Sequence, residues 1–142
     1  MQNPKQSHYA AIKHILRYVR GKTGYGLLYH RGGDGMLVGY SDSSYNDDRE
    51  DGRGTTGVAY YFSGNLITWA SQNQQTVALS SCEAECMAAT AAACQGLWLR
   101  SLLSDLVGRK AQKVKLLVDN QYVIVLIKNP VHHGRSKHID TK

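Results

Sequence analysis

Several common features are missing from this sequence. No apolar run approaches the roughly 18 residues that span a bilayer. The opening residues, Met1-Gln2-Asn3-Pro4-Lys5, begin no apolar signal core, so a cytoplasmic or nuclear setting is the default expectation. Cysteine is scarce and odd in number. Cys82, Cys86 and Cys94 crowd one segment without the Cys-x-x-Cys spacing of zinc ribbons or redox sites. They read as small, buried helix residues in a reducing compartment. There is no internal repeat and no low-complexity tract. The first 31 residues contain no acid.

What is present is an uneven charge. The 142 residues carry 17 Lys+Arg and 11 Asp+Glu, a formal net charge of +6. Residues 1–31 hold six basic residues, residues 32–108 three basic and nine acidic, and residues 109–142 eight basic and two acidic. An acidic middle between basic ends excludes the uniform basic coat of a DNA-packaging protein. With 42% hydrophobic and 20% charged residues, the chain is no disordered polyelectrolyte either.

Hydrophobic spacing sets the expected elements. Tyr9, Ile12, Leu16 and Val19 recur at helical intervals within 5–20, and Gly21 supplies a stop. Tyr25–Arg31 and Met36–Asp42 read as strands joined by the glycine-rich turn 32–35. After a polar loop, Gly57–Phe62 and Leu66–Ser71 read as a second hairpin. Ser80 to about Leu106 is rich in Ala and Leu and free of proline, which predicts a long helix. Val114–Val118 is a further strand. Gln121–Lys128 has strand propensity but stays ambiguous, and Asn129-Pro130 ends it. The order predicts an α/β protein, a mixed β-sheet flanked by helices.

Most acids read as solvated, including Asp34, Asp105 and the loop run Asp47, Asp48, Glu50 and Asp51. Three are placed differently. Asp42 and Asp119 each finish a strand, where acids are rare unless paired, hydrogen-bonded or metal-bound. Asp119 has an alternative role as the cap of the next helix. In Ser80-Ser81-Cys82-Glu83-Ala84-Glu85, Ser80 and Glu83 have capping-box spacing, which gives Glu83 a structural role. Glu85 lies about 200° around the helix and heads the stripe Ala89, Ala92, Gly96, Leu99, Leu103. A glutamate heading a buried stripe needs a partner, and a metal ion beside two strand-end aspartates would serve. Converging carboxylates suit Mg²⁺, and two such ions about 4 Å apart suit phosphodiester hydrolysis.

At these residues the sequence resembles the ribonuclease H domain of copia-type LTR retrotransposon Pol polyproteins. The resemblance runs nearly end to end. It includes Gly39-Tyr40-Ser41-Asp42, Gly64-Asn65-Leu66-Ile67-Thr68-Trp69, Gln74-Gln75-Thr76-Val77, Ser80 through Glu85, Val118-Asp119-Asn120-Gln121 and Lys137-His138-Ile139-Asp140. It implies a ribonuclease H-like sheet, makes Gln121–Lys128 a helix, and assigns the family's first three acids to Asp42, Glu85 and Asp119 as catalytic metal ligands. Residues 1–31 resemble the connection from reverse transcriptase, and 32–142 the ribonuclease H-like domain. The family's fourth acid lies in a later Ala-Asp motif, so the fifth strand and last helix are expected to be missing and Asp140 is not the expected fourth ligand.

The implied activity is endonucleolytic hydrolysis of the RNA strand of RNA–DNA hybrids during reverse transcription. The implied cofactor is Mg²⁺, two ions, with Mn²⁺ as a substitute. The implied partners are the hybrid and the reverse transcriptase portion of the same polyprotein. The implied settings are a cytoplasmic virus-like particle or the nucleus. His132, His133 and His138 read as solvated or as nucleic-acid contacts. The alternative expectation is an inactive retrotransposon remnant that at most binds nucleic acid or a partner. An integrase or transposase is disfavoured, because Glu85 stands between the aspartates rather than after them.

Overall fold

The computed structural model describes residues 4–45, 51–108 and 110–128. Asp47, Asp48, Glu50, Asn129, Pro130, His132, His133, His138 and Asp140 lie outside the described residues. The elements run α1 (Gln6–Arg20), β1 (Leu37–Ser43), β2 (Thr55–Phe62), β3 (Asn65–Asn73), α2 (Ser81–Val107), β4 (Lys115–Val118) and α3 (Gln121–Lys128). The strands form one mixed sheet in the order β3-β2-β1-β4. β1 pairs antiparallel with β2 and parallel with β4. This is the expected α/β architecture, consistent with a ribonuclease H-like fold.

One predicted strand does not form. Tyr25–Arg31 lies outside any strand. Its intended partner has no edge to offer, because β2 and β4 occupy both sides of β1. The glycines between them also take left-handed backbone, φ 91° at Gly32 and 71° at Gly35, which interrupts an extended ladder. The segment is instead tied to the β2–β3 turn. The Asn65 side chain accepts the His30 amide at 2.7 Å, and Ser63 Oγ accepts the Gly35 amide at 2.9 Å.

α2 packs on one face of the sheet through Ala84, Glu85, Ala88, Ala89, Ala92, Gly96 and Leu99, all buried. The predicted stripe is therefore the buried one, with Leu103 partly buried beneath it. The cysteines flank the stripe rather than join it. Cys82 and Cys86 are half-buried and Cys94 is exposed, which corrects the expectation of buried thiols. Small residues bring α2 close enough for Tyr60 of β2 to fill the gap. Its ring is fully buried with Leu37 and Leu99, and its hydroxyl donates to the Ala92 carbonyl.

The opposite face is open among the described residues. Cross-strand register puts Leu117, Tyr40, Ala59 and Trp69 in one row there. α1 also stands apart. Its apolar stripe is present in the sequence, yet none of its residues is buried and, among the described residues, it contacts no other element.

Candidate functional site

Sheet pairing builds half of the site. Ser41 of β1 is the register partner of Val118 of β4, and these neighbouring strands are parallel. The next residue on each, Asp42 and Asp119, therefore stands beside the other at the same end of the sheet. Glu85 arrives from the second turn of the α2 helix, on its sheet-facing side. One carboxylate oxygen from each of Asp42, Glu85 and Asp119 lies within 4.8 Å of the others.

Neighbouring residues leave these three carboxylates free. Asn120, not Asp119, caps α3: its Oδ1 accepts the amides of Tyr122 at 2.9 Å and Val123 at 3.2 Å. The alternative role of Asp119 as a cap is thereby removed. Ser80 Oγ accepts the Glu83 amide at 3.2 Å, as the capping spacing predicts. The return bond differs by one residue. Glu83 accepts the amide of Leu79 at 2.6 Å rather than that of Ser80. Glu83 is engaged in the helix start all the same.

The electrostatics are those of an acid cluster with no counter-charge among the described residues. Asp42 and Asp119 are exposed, whereas Glu85 is only 8% exposed. Burial pushes the Glu85 carboxyl above the usual range, and the charges of Asp119 and Asp42 push the same way. The Ser43 amide and hydroxyl oppose the shift, although Ser43 Oγ and Glu85 Oε2 stay short of hydrogen-bonding geometry. Glu85 Oε2 is thus a buried oxygen with no hydrogen-bond partner among the described residues. Such atoms are rare in native proteins and call for a water or an ion. Three converging oxygen donors, one of them orphaned, fit a hard divalent cation.

Two supporting residues have no clear sequence signal. Ser43 directly follows Asp42 and reads as loop. Gln74 sits among other glutamines, yet it is buried. Its Nε2 donates to Thr56 Oγ1 at 3.2 Å and to the Ala84 carbonyl at 2.9 Å, which ties the start of α2 to β2 next to Glu85. Beside the carboxylates lies a hollow of about 500 Å³, lined by Tyr40, Asp42, Ala59, Leu117 and Asp119. No helix among the described residues is long and apolar enough to cross a membrane.

Comparison with known proteins supplies the lineage. Over all 142 residues the chain is 40% identical to the retrovirus-related Pol polyprotein from transposon TNT 1-94 of Nicotiana tabacum. The chain is a homologue of copia-type retrotransposon Pol polyproteins. A second Pol polyprotein, from transposon RE1 of Arabidopsis thaliana, is 34% identical over 98% of the chain. The chain spans about 10% of the length of each of these relatives. A Plasmopara viticola protein, named secreted RxLR effector protein 161, is 41% identical over 97 residues, 68% of either chain. No family model and no solved structure matches.

Proposed function

We propose that this Pol segment is a ribonuclease H, a metal-dependent endonuclease acting on the RNA strand of RNA–DNA hybrids. The observation that carries the reading is the convergence of Asp42, Glu85 and Asp119 around an orphaned buried oxygen. Kinship with retrotransposon Pol polyproteins supports it, since a reverse-transcribing element has a hybrid to clear.

In this reading the three carboxylates hold two Mg²⁺ ions, with Mn²⁺ as a substitute. Bound there, the metal supplies activation of water and stabilisation of the leaving oxygen. The protein contributes placement. The β1–β4 register holds the two aspartates side by side, and α2 fixes Glu85 against the sheet. Burial keeps Glu85 in one position and strengthens its attraction for a cation. Lys and Arg contact phosphates, while groove shape and 2′-hydroxyls distinguish the hybrid. The partner in cis is the reverse transcriptase portion of the polyprotein, and the setting is the cytoplasmic particle or the nucleus. Residues 1–31 act as the connection to that portion.

A labelled RNA–DNA hybrid, incubated with and without Mg²⁺, tests the reading. The chain should cleave the RNA strand only with the metal, leaving 5′-phosphate and 3′-hydroxyl ends. Asp119→Asn should lower cleavage by at least about 100-fold, the scale of lost electrostatic stabilisation, while hybrid binding persists. Undiminished cleavage by the purified variant would remove Asp119 from the site. Hybrid binding with no Mg²⁺-dependent cleavage would favour a non-enzymatic remnant that serves as a nucleic-acid-binding module.

A further inference from the structure

A second hollow lies at the other end of the sheet. Leu37 and Asp42 are five residues apart on β1, about 17 Å at the rise of an extended strand. At the Leu37 end, a cavity of about 320 Å³ opens between the sheet and the C-terminal half of α2. Part of its lining is apolar. Leu37 and Phe62, which are cross-strand partners, line it together with Leu103. Its lining also includes two cations, Arg100 on α2 and Lys110 beyond it.

Among the described residues, the side chains of Arg100 and Lys110 form no ion pair and no hydrogen bond. Asp34 lines the same hollow, but its Oδ1 accepts the Met36 amide at 2.9 Å and holds its own turn. Neutralising the end of α2 does not account for Arg100 either. It stands about two turns before the last residue, Val107, and helix-end effects fade within the last turn.

The walls are fixed in advance. Ser104 Oγ donates to the Arg100 carbonyl at 2.9 Å and accepts the Ala111 amide at 3.0 Å. Those bonds fold the segment holding Lys110 back onto α2, after Gly108 reverses the chain at φ 67°. Across the hollow, Ser63 Oγ accepts the Gly35 amide at 2.9 Å, and the Ser63 amide donates to the Met36 carbonyl at 3.0 Å.

We propose that this hollow binds an organic phosphate of mononucleotide size. A guanidinium fork and an ammonium together match the charge and oxygens of a phosphate. The apolar side chains of the lining, Phe62 among them, offer a face to a flat ring, and the volume lies at the small end of ligand pockets. The site is independent of the ribonuclease reading, because it shares no residue with the carboxylate cluster.

Titration of the full chain with adenosine monophosphate, adenosine and inorganic phosphate, followed by amide NMR, tests this. The nucleotide should saturate with a dissociation constant on the order of 1 mM or lower, shifting the Gly35, Leu103 and Ala111 amides most. Adenosine and inorganic phosphate should each bind about tenfold more weakly. Arg100→Gln and Lys110→Gln should each weaken nucleotide binding about tenfold, and Arg100→Lys by less. The Lys variant keeps the test valid if Arg100→Gln disturbs α2. The proposal is overturned by no saturable nucleotide shift, by shifts confined to the carboxylate end, or by variants that bind as tightly as the parent. Adenosine or inorganic phosphate binding as tightly as the nucleotide would overturn it equally.

Discussion

At the scale of single residues, Glu85 and Tyr60 hold the most consequence. Burial and two like charges raise the Glu85 carboxyl. The folded chain therefore keeps this proton to higher pH than the unfolded chain does. Between the ordinary glutamate range and the raised one, the native state binds more protons, so metal-free stability falls as pH rises. Glu85→Gln should flatten that fall and stabilise the metal-free chain near neutral pH, because the amide carries no charge for burial and the two aspartates to oppose. Urea unfolding in chelator at several pH values measures both effects, and parallel curves for parent and variant would refute them. Tyr60 depends on two glycines. A Cβ at Gly39 would sit 2.4 Å from its ring, and one at Gly96 would sit 2.7 Å from its hydroxyl. Gly39→Ala and Gly96→Ala should each cost about 1–3 kcal/mol by overpacking. Tyr60→Leu should relieve part of the Gly39→Ala cost, a non-additivity readable in a double-mutant cycle.

At the scale of elements, caps and edges decide what local propensity leaves open. Gln121–Lys128 has the β-branched composition of a strand, yet it forms α3. Asn120 supplies the cap, and Val123 is buried. Asn120→Ala should cost about 1 kcal/mol and speed hydrogen exchange at the Tyr122 and Val123 amides. Unchanged exchange there would show that packing alone holds α3. The same substitution bears on the site, because Asp119 immediately precedes the cap. Tyr25–Arg31 is the opposite case. Its alternation and the glycine turn after it are good hairpin signals, but both edges of β1 are occupied. Strand pairing is a competition between segments, and a local pattern cannot show that another segment has won. β4 wins with four residues because α2 delivers it alongside β1.

At the scale of the whole molecule, the described residues form a sheet covered on one face by α2, with a separate basic helix before it. Among the described residues α1 buries nothing and touches no other element, so its apolar stripe should add nothing to the stability of the sheet domain. Deleting residues 1–22 should leave the melting temperature within about 1 °C, since a shift of several degrees corresponds to roughly 1 kcal/mol in a domain of this size. A drop beyond that would reveal a contact of α1 with the rest of the chain. The charge division has the same geography. The basic residues before position 32 lie outside the sheet, while Asp42 and Glu85 belong to the acidic middle and meet at one end of it.

The amino-acid pattern by itself determined the long helix, the central strands and the separate roles of Glu83 and Glu85. Those follow from spacing and capping, which are local. It left Asp119 divided between cap and ligand, left 121–128 divided between strand and helix, and promised a strand at 25–31 that does not form. Tertiary structure decided the last two, because strand and helix turn on which segments pack together, while the neighbouring Asn120 took the cap role from Asp119. Parallel pairing of β1 with β4 set Asp42 beside Asp119 across 77 residues of chain. The small-residue face of α2 then brought Glu85 to the same point. Proximity across so many residues is a property of packing, and no local periodicity encodes it.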